Sequence, residues 1–331
     1  MASTLPLPDV LYTDQGRERR VGIELELAGI ELPTIAACVI HSYGGQVRNI
    51  SPYELEIVDS ALGCFRVELD FNFLKRLARE QNEDLSTGSL ELLVTDALAE
   101  MAKNLVPFEL ISPPVPISQI GRLEEVVVKL RQAGAKGTYD AVHYAFGLHF
   151  NPELPALNSE TLLRYFKAYL CLQDWLEERE DAALTRRLSP YIQPFSKEYC
   201  RRVLRADYWP DLARFSRDYL ANNPSRNRSL DLLPLLAYLD EAAVRAAIDD
   251  ERVSKRPTLH YRLPNSDIDN PNWNLGRAWC DWLQVEALAN DRPLLIEVCD
   301  HYLAHLNSLT PDWIAPWKEQ VTQWLNLPSS V

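Results

Sequence analysis

The stretch Arg19-Arg20-Val21-Gly22-Ile23-Glu24-Leu25-Glu26-Leu27 alternates in character from residue to residue. Successive side chains of a strand point to opposite faces. The stretch therefore predicts a β-strand, about Arg20 to Gly29. Val21, Ile23, Leu25 and Leu27 lie on a core face, and Glu24 and Glu26 lie together on the other. Two adjacent carboxylates repel unless a cation or hydrogen-bond donors sit between them. What joins that pair decides the reading of the chain.

A cleaner alternation follows at Phe65-Arg66-Val67-Glu68-Leu69-Asp70-Phe71-Asn72-Phe73. Apolar residues fall at every odd position, the mark of a half-buried strand. Tyr53 to Val58, Pro107 to Pro114 (closed by its last two prolines), Tyr144 to Asn151 and Pro257 to Pro264 are further strand candidates. Taken at the same phase, the polar faces carry Glu24, Glu26, Glu68, Asp70, Glu109, His149, Asn151, His260 and Arg262. A solvated sheet face usually mixes Lys, Thr, Ser and Gln. This set is rich in carboxylates, with two imidazoles and an arginine. Oxygen donors with a few imidazoles suit Mg²⁺ or Mn²⁺, and divalent ions beside arginine suit phosphoryl chemistry. If the strands are not neighbours in one sheet, the same residues are ordinary surface charges.

Helices are expected at Leu32 to Ser42, Leu90 to Val106, Ile117 to Ala133, Asn158 to about Glu180, most of Leu230 to Asp250, and three C-terminal stretches from Trp273, Pro293 and Pro311. The predicted class is α+β: an antiparallel-rich sheet with one polar face and one helix-covered apolar face, plus helical additions in the C-terminal half. The expected organisation is an arm over 1–18, a sheet-bearing domain over 19–270 with a helical insertion at about 156–225, and a helical segment over 271–331.

A formal net charge of -13 over 331 residues argues against a nucleic-acid surface. No apolar run approaches a membrane span, and residues 1–16 lack a basic stretch followed by an apolar one. Six scattered cysteines without a CxxC pair fit a reduced, cytoplasmic protein. No Gly-rich phosphate loop and no nucleophile elbow occurs. The tryptophans Trp273, Trp279, Trp282, Trp313, Trp317 and Trp324 read as core or as a homo-oligomer interface. The Arg-rich run from Arg186 to Arg205 reads as a solvated helical surface or a patch for acidic groups.

Several motifs, in order, resemble a known family. Val21 to Glu26 resembles the opening G-x-E-x-E strand of the carboxylate–amine ligase superfamily, which includes glutamine synthetase and glutamate–cysteine ligase. Glu109-Leu110-Ile111-Ser112-Pro113 is similar to its E-x-x-[ST]-P segment, and Gly147 to Asn151 to its G-x-H-x-[HNQ] strand. Asn227-Arg228-Ser229 resembles the NRS segment of glutamine synthetase, and Arg256 to Pro271 its last ligand strand, R-x-E-x-R. With Phe65 to Asp70 included, the chain most resembles the amidoligase family over about residues 18–270.

The resemblance implies a glutamine synthetase-like catalytic sheet and an ATP- and metal-dependent ligase. Such an enzyme activates a small-molecule or peptide carboxylate as an acyl phosphate for attack by an amine. Glu24, Glu26, Glu109 and His149 fall on metal-ligand positions. Arg228 and Arg262 fall on positions that contact phosphate or stabilise transferring charge, with Asn151 as a further cofactor contact and Glu68 and Asp70 as catalytic candidates. The last strand departs from the pattern. His260 stands where the family has a metal-binding glutamate, and Thr258 where it has the first arginine. Either the metal site is altered, or Asp267 or Asp269 substitutes, or His260 is structural. The competing reading is a non-catalytic nucleotide- or peptide-binding scaffold.

Overall fold

β1 (Arg20–Leu27) is buried from its second residue to its last, as a strand in the middle of a covered sheet must be. The computed structural model describes residues 5–69, 107–138, 146–180, 193–250, 253–309 and 314–325. β1 pairs with β5 (Phe108–Ile111) on one side and β7 (Leu148–Pro152) on the other. Beyond β5 lie β4 (Gly63–Leu69), β3 (Glu54–Ser60) and β2 (Gln46–Ser51). Beyond β7 lie β9 (His260–Tyr261) and β8 (Leu230–Asp231), while β6 (Val115–Pro116) pairs with the start of β1. All these pairings are antiparallel. The fold is α+β, built on one sheet of nine strands among the described residues.

The apolar face of the sheet is the core. Val21, Ile23, Leu25, Ile57, Phe65, Val67, Leu110, Leu148, Phe150 and Tyr261 are all within 1% of full burial. Helices cover it at both ends. On the β3–β4 side, the helix Leu32–Tyr43 stacks Tyr43 on Phe65 with ring centroids 5.4 Å apart. On the β7–β9 side, the helices Ser159–Arg179 and Leu275–Asn290 bring Tyr169 and Trp282 onto Tyr261, and Trp279 onto Phe150. The C-terminal tryptophans Trp279, Trp282 and Trp317 are thus core residues.

A buried polar network ties the chain's beginning to its end. Arg19 and Glu286 are both sealed from solvent and paired at 2.7 Å. Arg19 also donates to the carbonyls of Glu153 and Val10, and Trp279 donates its indole N–H to Pro6 O. Residues 5–18 are therefore pinned to the domain.

Local chemistry explains the boundaries. Asn158 caps the helix Ser159–Arg179 by accepting from Thr161 N. The expected helix from Ile117 starts as a 3₁₀ turn (Ile117–Leu123) and becomes α-helical at Glu124–Gln132. It ends before Gly134, whose φ of 93° favours glycine. The expected helix from Leu230 instead begins as β8, then divides into Leu233–Leu239 and Glu241–Ala247 where Asp240 caps the second piece. Asp70, the distal part of the second alternating stretch, and the helix expected at Leu90 to Val106 lie outside the described residues.

Candidate metal and phosphate site

The register of the sheet assembles the polar face. Glu24 pairs with His149 and Gly22 with Asn151 across β1–β7. Glu26 pairs with Glu109 across β1–β5, and Glu109 with Glu68 across β5–β4. His260 pairs with Asp231 across β9–β8. Directly opposed residues share a face. One face thus carries Glu68, Glu109, Glu26, Glu24, His149, Asn151, His260 and Asp231 in a band across six strands.

Glu24 is the hub. Its Oε2 lies 3.2 Å from His149 Nδ1 and 3.4 Å from His260 Nε2. Its Oε1 accepts from Asn151 Nδ2 at 2.9 Å and from the Arg256 guanidinium. Arg256 also donates to Asn151 Oδ1. Burial opposes ionisation of Glu24, but His260, His149 and Arg256 outweigh it and hold the carboxyl well below the usual carboxylate range. Glu24, His149 and His260 are each at least 94% buried. They are the set whose side chains could share one metal ion among the described residues. Asp267 and Asp269 are not in that set.

His149 is held from both sides. Its Nε2 is 3.9 Å from Glu26 Oε1, and its Nδ1 is 4.0 Å from Glu109 Oε1. Burial pulls its pKa down to about 4, with Arg262 adding to the effect against the pull of Glu24. At neutral pH the imidazole is uncharged and has a lone pair for a metal. Glu26 is anchored by the Gly147 N–H at 2.7 Å. Gly147 also makes room, since a Cβ there would lie 2.7 Å from His149 Nε2.

His260 supplies the fit test for a cation. It is 1% exposed, yet neither ring nitrogen has a hydrogen-bond partner among the described residues, and Asp231 Oδ2 beside it has none either. Buried polar atoms are normally satisfied. An ion between His260, His149 and Glu24 would satisfy Nε2, so the residues present fit a divalent metal.

The other expected site residues divide. Arg262 donates to Arg226 O at 2.6 Å, while its Nε is buried without a partner among the described residues. Arg228 is turned elsewhere: it bonds Asn223 Oδ1 and the carbonyls of Gln193 and Pro194, and lies over the Phe195 ring. Glu68 pairs with Arg66 at 3.0 Å near the surface. Asp231 escaped the sequence reading, and Arg256 entered it only as the start of the last-strand motif, with no role. Arg256 lies two residues before Thr258 and four before His260 on the same alternation, so its phase was legible although the family pattern puts its arginine at Thr258. Asp231 sits in a two-residue strand too short to show any period.

Among the described residues, no helix is long and apolar enough to cross a membrane. No curated protein and no solved structure matches the chain. The sequence matches the family described as "putative amidoligase enzyme" over residues 17–284. That span includes β1, β5, β7, β8 and β9 and every side chain gathered round Glu24, and the chain belongs to this amidoligase family.

Proposed function

We propose that this protein is an ATP-dependent carboxylate–amine ligase, forming an amide bond through an acyl phosphate and releasing ADP. The observation that carries the reading is the buried Glu24 carboxylate, flanked by two imidazoles on one side and by Asn151 and Arg256 on the other. Membership of the amidoligase family supports ligase chemistry.

Glu24, His149 and His260 would hold a divalent ion, and Glu26 and Glu109 stand next to them in register. A bound ion supplies positive charge against the phosphate oxygens of ATP. The chain's own residues do the remainder. Arg262, whose Nε has no hydrogen-bond partner among the described residues, takes the phosphoryl group's developing charge. Arg228 holds the segment Gln193–Phe195 in place. Asn151 orients Glu24. Glu26 and Glu109 take the amine, whose ammonium form matches a pair of carboxylates. The substrates are a small-molecule or peptide carboxylate and an amine.

A second reading, a nucleotide- or peptide-binding scaffold without turnover, draws on Arg256, which already occupies Glu24 Oε1. One assay separates them. Protein, ATP, divalent ion and pooled amino acids or peptides are incubated, and phosphate release and hydroxamate formation are followed. Hydroxamate that requires ATP and vanishes in Glu24→Gln and Arg262→Ala supports the ligase. ATP binding without phosphate release from any acceptor pool supports the scaffold.

A further inference from the structure

Asp231 has no part in the chemistry above, and its position is unusual. It is 0% exposed, on the last strand of the sheet. Its Oδ1 accepts from Leu233 N at 2.9 Å, so one oxygen is fixed by the backbone. Its Oδ2, without a hydrogen-bond partner among the described residues, lies 3.7 Å from His260 Nδ1. The other nitrogen of that ring, Nε2, points to Glu24 Oε2 at 3.4 Å. The imidazole thus stands between two carboxylates, one on each nitrogen.

A neutral imidazole carries one N–H and one lone pair, and a carboxylate facing one nitrogen draws the proton to it. Asp231 faces Nδ1. Glu24 faces Nε2 more closely still, so it is a cation held by Glu24 and His149 that would exclude a proton from Nε2; the ring N–H would then lie on Nδ1, toward Asp231, and the Nε2 lone pair would face the ion. A histidine that ligates a metal commonly donates its second N–H to a carboxylate, which orients the ring and raises its basicity; the Asp231 carboxylate stands on that side of the ring at 3.7 Å, just beyond hydrogen-bond distance.

The two separations from Glu24 suit ligands of one ion, and all three ligand atoms lie within 4.8 Å of one another. Ligands about 2.1 Å from one ion lie roughly 3.0 Å apart at right angles and roughly 3.4 Å apart in a tetrahedron. The distances from Glu24 Oε2 to His149 Nδ1 and His260 Nε2 are 3.2 Å and 3.4 Å. Two imidazoles and one carboxylate make a donor set for first-row transition ions, because Mg²⁺ prefers oxygen.

We infer that Asp231 is a positioning residue that presents His260 Nε2 to a metal, and that the Glu24–His149–His260 site selects a transition ion of the Mn²⁺, Co²⁺ or Zn²⁺ class over Mg²⁺. The inference rests on the reading of these three residues as metal ligands.

The test is Co²⁺ binding to the full chain, read by its visible absorption and by competition with Mg²⁺. Wild type is expected to bind Co²⁺ at least about 100-fold more tightly than Mg²⁺. Asp231→Asn keeps an acceptor for Leu233 N–H and should leave metal-free unfolding unchanged, yet weaken Co²⁺ binding about 10- to 100-fold and alter the absorption spectrum. His260→Glu restores an oxygen donor and should narrow the Co²⁺ preference at least tenfold, which keeps the test open should the Asp231 variant not fold. Equal affinity for Mg²⁺ and Co²⁺ in wild type overturns the ion class. Wild-type affinity and spectrum in Asp231→Asn overturn the positioning role. Ligase turnover in Mg²⁺ without Co²⁺ binding at these residues sinks the inference and leaves the ligase standing. Co²⁺ binding that Glu24→Gln abolishes, in a protein that never consumes ATP, supports the inference and sinks the ligase.

Discussion

Arg19 and Glu286, 267 positions apart in the chain, form a two-pronged ion pair at 2.7 and 3.0 Å with both side chains sealed from water. Tyr165 and Trp282 also donate to Glu286, so its carboxylate has several partners. The pair joins the residue before β1 to the helix that covers the core at β7 and β9. Removing one member strands the other charge in a dry interior, which costs about 3–5 kcal/mol. Glu286→Ala should therefore lower the unfolding free energy in urea by that amount. The double variant Arg19→Met, Glu286→Leu should lose less than the single one. A loss below about 1 kcal/mol for Glu286→Ala would show that water reaches Arg19.

A glycine gives the His149 ring its room. A Cβ on Gly147 would lie 2.7 Å from His149 Nε2 and 3.2 Å from its Cδ2. The two residues share a face, so the imidazole must give way. Gly147→Ala is expected to weaken divalent-ion binding at least tenfold, because the ring leaves its line to Glu24. The fold should lose only about 1–3 kcal/mol, a usual figure for overpacking. Calorimetric titration with Mn²⁺ beside urea unfolding checks both halves. Unchanged Mn²⁺ affinity in a folded variant would remove His149 from the site.

These two cases mark what was legible beforehand. β1 and β4 were readable because each buries one alternating apolar set, and that burial writes a period of two into the sequence. Glu24, Glu26, Glu109, His149 and His260 share a face because register follows phase. β2 was not readable, since all six of its residues are exposed and no face is buried to impose a pattern. Arg228 shows a different limit. A motif fixes where a residue sits in the chain, but not whether its guanidinium turns to the sheet or, as here, to Asn223 and two carbonyls. Asp231 and Arg256 depend on contacts across strands that no local pattern records.

Arg256 bears on metal binding through Glu24. The guanidinium bonds Glu24 Oε1 and Asn151 Oδ1, and it balances a buried carboxylate. A divalent ion at Glu24 competes with it for the same charge. Linkage then requires that removing Arg256 tighten metal binding and that metal lessen the cost of removing Arg256. Arg256→Ala should destabilise the metal-free protein by about 1–3 kcal/mol and the Mn²⁺-loaded protein by less. Thermal unfolding with and without Mn²⁺ measures the difference. An equal loss in both forms would mean that Arg256 and the ion act on Glu24 independently.

Glu180 is buried at the end of the helix Ser159–Arg179. Loss of solvent pushes its pKa up to about 7, with Asp281 and Asp267 adding to the rise against the Asn265 N–H and Arg277. One oxygen accepts from Asn265 N at 3.3 Å, and the other is buried without a partner among the described residues. The fold therefore favours the protonated carboxyl. Below the ordinary Glu value both folded and unfolded chains carry the proton, and the group leaves stability unaffected by pH. From that value up to about 7 only the unfolded chain is ionised, so this group makes stability fall as pH rises. Above that range the loss is complete, at roughly 3 kcal/mol. Gln in its place keeps an acceptor for Asn265 and never ionises. Glu180→Gln should match wild type in urea unfolding at pH 4 and exceed it by that margin at pH 8. A variant less stable than wild type at both pH values would show that the ionised carboxylate is well solvated or paired in the folded protein.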